Sequence, residues 1–293
     1  MKAVRVHAWG EPPRLEDLAE PRGGPGRTLV RMHAATVGHI DRTVWSGQFL
    51  RHPPLPYVPG VEAAGIVVSG DRFKAGTRVW MRGAGLGIAR DGTWRETIEV
   101  PDEALGELPS GVSFALGSAF FSPCTSAWVA LHEVARVQPG ERVLVSGASG
   151  AVGSIAMQLA QEAGAEVQAF DATQEATPQA DVLVDMVGGT VLPQALRGVK
   201  PGGRAVLVGY AGGAEARIDL PELLQRDIAL LPLNIIRREA AARAAAPHLL
   251  QRIADGRVQL AVREFPLAQA AEAMQWIATR GHGGRAVLTA HEH

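Results

Sequence analysis

Cysteine is almost absent from this sequence, since Cys124 is the only one among 293 residues. A disulfide framework and every zinc site built from several cysteines are therefore excluded. The chain also lacks an excess of charge of either sign, with 29 Lys and Arg residues against 30 Asp and Glu residues. Such a balance gives no general attraction to nucleic acid or to an anionic membrane, and we expect neither as a partner.

Long hydrophobic runs are missing as well. No stretch approaches the roughly 20 uninterrupted apolar residues that a membrane helix needs. The Met-Lys-Ala-Val start has no apolar core of signal-peptide length. These absences predict a soluble, cytoplasmic protein.

The residues that are present are sufficient for a folded core. Apolar residues make up 46% and charged residues 20% of the chain, which excludes disorder as the main state. At roughly 150 residues per domain, the length predicts about two domains. The 34 glycines and 19 prolines favour an α/β protein with many tight turns.

The first hundred residues are typical of a mostly-β unit. Strand-like segments alternate with Gly-rich and Pro-rich turns, and they lie at residues 1–8, 28–34, 62–68, 77–81 and 96–100.

After residue 115 the pattern changes to alternating helices and strands. One helix is predicted over 118–136, and strands are predicted over 142–146, 167–170, 181–187 and 204–209. This alternation implies crossover connections and a parallel sheet.

The C-terminal part of the chain, from residue 240, is predicted to begin with a helix. A strand (258–263), a second helix (268–279) and a last strand (285–289) follow. These strands have no obvious partner in the parallel sheet, so we expect them to return to the N-terminal unit.

Residues 147–153 form a glycine loop, with Gly147, Gly150 and Gly153 placed between a predicted strand and a predicted helix. Gly150 lets the backbone approach a pyrophosphate, and Gly153 lets the helix pack closely on the strand. The free N–H groups and the positive end of the helix dipole would face the phosphates. Ala148 departs from the usual G-x-G-x-x-G spacing, and a structural turn is the alternative. The strand–loop–helix context favours dinucleotide binding.

Several short segments carry a family resemblance when they are taken in order along nearly the whole chain. They are residues 59–67 (PGVEAAGIV), 73–80 (FKAGTRVW), 127–128 (AW), 139–145 (PGERVLV), 184–189 (VDMVGG) and 201–204 (PGGR). Together they resemble the zinc-free quinone oxidoreductase branch of the medium-chain dehydrogenase/reductase superfamily.

This resemblance implies a fold and an activity. The fold is α/β, with a GroES-like, mostly-β catalytic domain from residues 1–115 and 241–293. A Rossmann domain, a doubly wound parallel sheet, is implied for residues 116–240. The activity is reduction of a small molecule, a quinone or an α,β-unsaturated carbonyl, by NAD(P)H. The alternative is a non-catalytic relative that kept the fold as a nucleotide-binding protein or a scaffold.

Three positions depart from the family pattern or vary it. Val61 and Gly38 stand where zinc-dependent relatives have a histidine and a cysteine ligand, so we expect no metal, which argues against simple alcohol oxidation. Zinc-free relatives usually have an asparagine at the position of Gly38, near the nicotinamide. Ser126 stands at the position of a usual threonine and keeps its hydroxyl.

A larger departure is a shortened connection. Only residues 171–180, with Pro178 among them, separate Phe170 from Asp181, whereas relatives carry a helix, a strand and another helix in this region. A parallel crossover takes roughly ten to twelve residues with its helix. We infer that an outer strand and its flanking helices are missing, which leaves residues 167–170 as a sheet edge with a shallower adenosine pocket.

The candidate catalytic residues are His39, Asp41 and Tyr57. His39 or Asp41 could deliver a proton, although Asp41 is also a typical backbone cap. Tyr57 and Trp45 could stack on a flat substrate or form part of the core. Glu62 fits a buried structural ion pair better than a general base.

The candidate cofactor-binding residues combine the glycine loop with positions implied by the resemblance. They are Ser126, Ser149, Gly150, Ala151, Val152, Gly153, Asp171, Gly188, Val208, Gly209 and Asn234. Cys124 lies in a predicted helix and is expected to be a packed thiol rather than a nucleophile.

Residues and resemblance disagree on the cofactor. No Lys or Arg occurs between Arg142 and Arg197, and Asp171 would repel the 2′-phosphate of NADPH and accept hydrogen bonds from a free ribose hydroxyl. These residues favour NADH, while the resemblance implies NADPH. Arg280 or Arg285 could approach the phosphate from the C-terminal segment.

The resemblance also implies a homodimer. The apolar segment 228–236 would suit a last sheet strand that pairs across a two-fold axis. An interior strand fits the same pattern equally well.

Overall fold

The computed structural model describes residues 1–173, 179–279, 281 and 283–290. The positions of Pro178 and Arg280 therefore lie outside the described residues. The chain divides into two compact units, which are Met1–Phe121 with Leu250–His293 (unit 1) and Ser122–Leu249 (unit 2). These boundaries fall somewhat later in the chain than residues 115 and 240.

Unit 1 is mostly β. Its strands are β1 (Lys2–Arg5), β2 (Arg14–Asp17), β3 (Arg27–Val37), β4 (Glu62–Ser69), β5 (Arg78–Arg82), β6 (Thr97–Pro101), β7 (Leu105–Glu107), β13 (Val262–Pro266) and β14 (Arg285–Thr289). Its helices are α1 (His39–Trp45), α2 (Phe114–Ala119) and α8 (Ala270–Trp276). A seven-stranded sheet has the order β13-β14-β3-β4-β5-β7, and β6 also pairs with β3.

Strand β3 organises this sheet because apolar side chains alternate along it, with Val30, Met32 and Ala34 in the core. The antiparallel pairing of β14 with β3 places Leu288 opposite Ala35. This pairing confirms that the C-terminal strands return to the N-terminal unit.

The strand predicted over 258–263 is wrong in its bounds, because β13 begins at Val262. The backbone N–H groups of Arg257 and Val258 both donate to the carbonyl of Arg252. These residues therefore complete the end of the preceding helix and are not available for a sheet.

Unit 2 contains a parallel sheet with helices between its strands. The strands are β8 (Arg142–Ser146), β9 (Glu166–Ala169), β10 (Ala180–Asp185), β11 (Val199–Leu207) and β12 (Ala229–Pro232). The helices are α3 (Phe121–Trp128), α4 (Ala151–Glu162), α5 (Val191–Leu196), α6 (Leu220–Gln225) and α7 (Glu239–Ala254), of which α3 and α7 cross the unit boundaries.

The sheet order β12-β11-β10-β8-β9 places β9 at one edge, and all neighbouring pairs are parallel. The prediction of an edge strand at this position is confirmed. Strand β12 lies at the other edge, so the interior alternative for segment 228–236 is wrong for the described sheet.

The single helix predicted over 118–136 is confirmed over Phe121–Ala135 but is wrong at its start. Helix α2 ends at Ala119, α3 runs from Phe121 to Trp128, and a π-helical segment continues to Ala135. Pro123 explains why a new helix starts here, because it lies in the first turn of α3, where its missing backbone N–H group would have no acceptor within the helix. The π-helical segment ends at Arg136, which has a positive φ of 53°.

None of the helices formed by the described residues is both long and apolar enough to cross a membrane.

Candidate functional site

The glycine loop of unit 2 is a tight connection between β8 and α4. Gly147 has a φ of +64°, which a residue with a side chain rarely adopts. A Cβ atom on Gly153 would lie 2.2 Å from the carbonyl oxygen of Gly147, whereas one on Gly150 would meet that oxygen only at 3.3 Å. Gly153 is therefore the position at which the first turn of α4 packs against the loop.

The N-terminus of α4 presents free backbone donors. Its N-cap residue is Gly150, and no side-chain cap is formed there. Ser149 and Gly150 are exposed. The first N–H groups of a helix have no acceptor within the helix, and the helix dipole adds positive charge at this end. A 12-residue helix that begins in this way fits the phosphates of a dinucleotide.

Three other predicted cofactor residues lie at the same edge of the sheet. Gly188 follows β10, while Val208 and Gly209 follow β11. The N–H group of Val208 donates to the carbonyl of Asp185 at 2.8 Å, and a Cβ atom on Gly209 would lie 2.6 Å from the carbonyl oxygen of Met186. Since β8, β10 and β11 are adjacent parallel strands, their carboxyl ends bring these residues together with the glycine loop.

Asp185 was not among the residues predicted for the site, although it lies at the centre of this edge. It is 1% exposed, and its carboxylate accepts hydrogen bonds from the Ser146 hydroxyl and from the N–H group of Gly188. An acidic residue at the end of a buried strand, three positions before a pair of glycines, was the signal that could have identified it.

The remaining predicted cofactor residues of unit 2 have local roles. The Asp171 carboxylate is exposed and accepts hydrogen bonds from the N–H and hydroxyl groups of Thr173, at 2.9 and 2.7 Å. The side-chain oxygen of Asn234 accepts from the N–H groups of Ile236 and Arg237. Ser126 is half-buried on α3.

Cys124, also on α3, is fully buried. The prediction of a packed thiol is confirmed.

In unit 1, Asp41 is a buried acid at the start of α1. Its Oδ2 atom accepts a hydrogen bond from the N–H group of Gly38 at 2.7 Å, and its Oδ1 atom has no partner among the described residues. Burial raises the pKa of Asp41 to about 7, and the nearby Glu62 acts in the same direction. The Gly38 N–H group and the guanidinium groups of Arg285 and Arg82 oppose this shift.

The carboxylate of Glu62, close to Asp41, pairs with two arginines. It lies 2.6 Å from Nη2 of Arg285 and 3.5 Å from Nε of Arg82. The prediction of a buried ion pair is confirmed. The alternative in which Arg285 approaches a cofactor phosphate is not supported, because its guanidinium already binds Glu62.

Tyr57 is a core residue, 1% exposed, that packs with Val6 and Val44. Its ring is therefore not available for stacking on a substrate. Its hydroxyl has no hydrogen-bond partner in the described part of the chain. Burial, and then the charge of Asp41, raise the pKa of Tyr57 well above its usual value.

His39, the third candidate catalytic residue, is exposed on α1.

The sequence matches two protein families. The family described as "Alcohol dehydrogenase GroES-like domain" matches residues 24–110, and the one described as "Zinc-binding dehydrogenase" matches residues 160–288. In residues 1–173, 179–279, 281 and 283–290, no three His, Cys, Asp or Glu side chains are grouped so that they could hold a metal ion.

Similar proteins cover most of the chain. The quinone oxidoreductase of Mus musculus is 28% identical over an alignment 313 positions long, gaps included, which covers 93% of this chain and 92% of that protein. The quinone oxidoreductase of Homo sapiens is 30% identical over an alignment of 251 positions, which covers 73% of this chain and 75% of that protein. The solved quinone oxidoreductase of Thermus thermophilus, also determined with NADPH, has 28% identity and a TM-score of 0.82, with coverage of 99% and 100%.

The raised pKa of Asp41 predicts how stability depends on pH. Unfolded chains lose this proton near pH 4, while the folded protein keeps it until about pH 7. The folded state therefore binds the extra proton in this window, and the free energy of unfolding should fall as the pH rises through it. Asp41→Asn keeps an acceptor for Gly38 and should remove this slope, with a gain on the order of 4 kcal/mol at pH 8.

Urea unfolding between pH 4 and pH 8 measures this effect. Asp17→Asn is the control, because Asp17 is exposed and its pKa is lowered by Lys2. An equal slope in wild type and Asp41→Asn would contradict the prediction.

Proposed function

The chain belongs to the zinc-free quinone oxidoreductase branch of the medium-chain dehydrogenase/reductase superfamily, and from this premise we propose that it reduces a quinone or an α,β-unsaturated carbonyl with NAD(P)H and without a metal. The observation that carries this proposal is the glycine loop, whose helix N-terminus fits a dinucleotide. The alternative of a non-catalytic relative has no support in the similar proteins.

The protein's part in such a reaction is binding and orientation. NAD(P)H supplies the hydride when it is bound, and no side chain has to form a covalent intermediate. The backbone N–H groups of Ala151 and Val152 would hold phosphate oxygens at the start of α4. Gly188, Val208 and Gly209 would shape the adjoining edge, where the two glycines leave room for the approach of a ligand.

The reaction also consumes one proton for each hydride, and we assign its delivery to Asp41. A proton donor works best when its pKa lies near the operating pH, and burial brings the pKa of Asp41 to about 7. The Oδ1 atom of Asp41, which has no partner in the described part of the chain, would carry that proton. The raised pKa of Tyr57 keeps its phenol protonated in this range.

Asp41→Asn should therefore change the pH profile of turnover. In the wild type, kcat for oxidation of NADH or NADPH by 1,4-naphthoquinone should fall as the pH rises above about 7, because Asp41 loses its proton. The variant should have a kcat lower by about 100-fold and independent of pH in this range. Stopped-time assays between pH 5.5 and 9 at saturating cofactor measure both effects.

Asp17→Asn is again the matched control and should keep the wild-type profile. An Asp41→Asn variant with the wild-type kcat and the wild-type profile would remove Asp41 from the mechanism. A wild type that oxidises neither cofactor with any quinone or enone would overturn the proposed function.

For the cofactor, we propose that NADH binds at least as well as NADPH and that both bind weakly. No cationic residue occurs in the sequence between Arg142 and Arg197, and the guanidinium of Arg285 is paired with Glu62. A phosphate on the ribose would therefore lack the charge-assisted hydrogen bonds that favour NADPH.

Titration of both cofactors by nucleotide fluorescence tests this preference. Asp171→Ala should weaken NADH by up to about 10-fold, because the ribose loses an ionised acceptor, and should not weaken NADPH. Glu166→Ala, at an exposed acidic residue of β9, is the control. A clear NADPH preference in the wild type that Asp171→Ala leaves unchanged would show that Asp171 is only a loop residue.

We further propose a homodimer that forms through β12. This strand is an edge of the sheet, and its own residues are half-buried or exposed. Ile236, just beyond it, is 69% exposed. Exposed apolar side chains beside an unpaired strand edge are typical of an interface.

Light scattering at micromolar concentration should give twice the 30.9 kDa chain mass. Ile236→Lys should shift this mass towards the monomer because it places a charge in the interface. Leu50→Lys, at a fully exposed apolar residue of unit 1, should leave it unchanged. A monomeric wild type would rule out the dimer.

A further inference from the structure

The Asp185 carboxylate is buried, and its hydrogen-bond donors are neutral groups. The Ser146 hydroxyl donates to Oδ1, and the N–H group of Val187 donates to the same oxygen at 3.3 Å. The N–H group of Gly188 donates to Oδ2 at 2.9 Å. Ser146 in turn accepts from the N–H group of Met186 at 3.0 Å. One carboxylate thus joins the last residue of β8 to the turn that follows β10.

The backbone of the same residue reaches a third strand. The carbonyl oxygen of Asp185 accepts hydrogen bonds from the N–H groups of Val208 and Gly209, at 2.8 and 3.3 Å. Asp185 therefore connects the carboxyl ends of β8, β10 and β11. These are the three ends at which the glycine loop, Gly188 and Val208 are located.

The loops at this edge need such a connection because glycine is conformationally free. Gly147 and Gly188 both have a φ of +64°, and glycine loses more backbone entropy on ordering than any other residue. Neither residue has a side chain that could hold its loop in place. The hydrogen bonds that the Asp185 carboxylate accepts from Ser146 and Gly188 fix the residue before Gly147 and the Gly188 turn.

We infer that Asp185 is a positioning residue for cofactor binding, which holds the glycine loop and the Gly188 turn in the arrangement that accepts the dinucleotide. This inference rests on the proposed function. Asp185 acts through the backbone of these loops and makes no contact with the reacting atoms.

The chemistry of the side chain explains why an aspartate is required. A carboxylate offers two acceptor oxygens, and hydrogen bonds to an ionised acceptor are roughly twice as strong as neutral ones. Asparagine offers one acceptor oxygen and one NH₂ group. In Asp185→Asn, either Ser146 and Val187 or Gly188 would therefore face a donor in place of an acceptor.

The chain contains a matched control on the same strand. Asp181 lies at the amino end of β10, where its carboxylate pairs with Lys200 and accepts a hydrogen bond from the N–H group of Arg142 at 2.9 Å. Like Asp185, it joins β10 to β8, but it does so at the end of the sheet away from the glycine loop. Asp181→Asn tests the same chemical change without touching the proposed site.

Cofactor titration by NADH and NADPH fluorescence measures the predicted effect without turnover. Asp185→Asn should raise the Kd of both cofactors by about 10-fold or more, Ser146→Ala by a few-fold, and Asp181→Asn by less than about 2-fold. In steady-state assays, the KM for the cofactor should rise while the KM for the quinone stays the same. A purely structural defect would instead lower the active fraction and leave the Kd of the folded protein unchanged.

Hydrogen exchange on the cofactor-free protein gives a second readout. The amides of residues 147–153 and of Gly188 should exchange faster in Asp185→Asn and in Ser146→Ala, but not in Asp181→Asn. If Asp185→Asn does not fold, Ser146→Ala carries the test.

Three results would decide against these ideas. A folded Asp185→Asn variant with wild-type Kd values would overturn the inference, and so would equal weakening in Asp185→Asn and Asp181→Asn. A wild type that binds neither cofactor would overturn the proposed function itself. In that case, the exchange comparison alone decides whether Asp185 orders the two loops.

Discussion

The close approach of α4 to the end of β8 is the constraint on which the candidate cofactor site depends. A side chain at residue 153 would have its Cβ atom 2.2 Å from the carbonyl oxygen of Gly147, so the helix can begin at this point only when that residue is glycine. Because the helix begins here, its uncapped N–H groups lie at the carboxyl edge of the parallel sheet. At this edge the loops after β10 and β11 are adjacent, and ligands of open α/β sheets bind in such places.

Unit 1 shows how burial and pairing separate two carboxylates of one cluster. Glu62 pairs with the guanidinium groups of Arg82 and Arg285. Asp41 has a single backbone donor and one unpartnered oxygen among the described residues, so burial dominates its protonation. This difference between the two environments is the basis for the roles proposed above, a structural one for Glu62 and proton transfer for Asp41.

The features that could be predicted from the sequence are those set by local chemistry. The glycine loop, the buried Glu62 pair and the return of the last strand to unit 1 each followed from residue type and spacing. The helix predicted over 118–136 was wrong at its start because apolar spacing does not show that a new helix begins just before Pro123. Asp185 was missed because its role depends on Ser146, which is distant in sequence. The pairing of Arg285 with Glu62 likewise spans most of the chain, and no local pattern indicates it.

The two edge strands of the sheet in unit 2 differ in how well they are protected against pairing with another strand. Strand β9 is only four residues long, and an exposed ion pair between Arg142 and Glu166, at 3.0 Å, lies at its start. Short edge strands with charged side chains resist addition of a further strand. If both edge strands could pair with another copy of the chain, copies could add at both ends of the sheet and form a filament. A sheet in which one edge strand cannot pair does not grow in this way. Strand β9 is therefore an edge that resists addition of another strand, and the proposed self-association through β12 would stop at a closed pair.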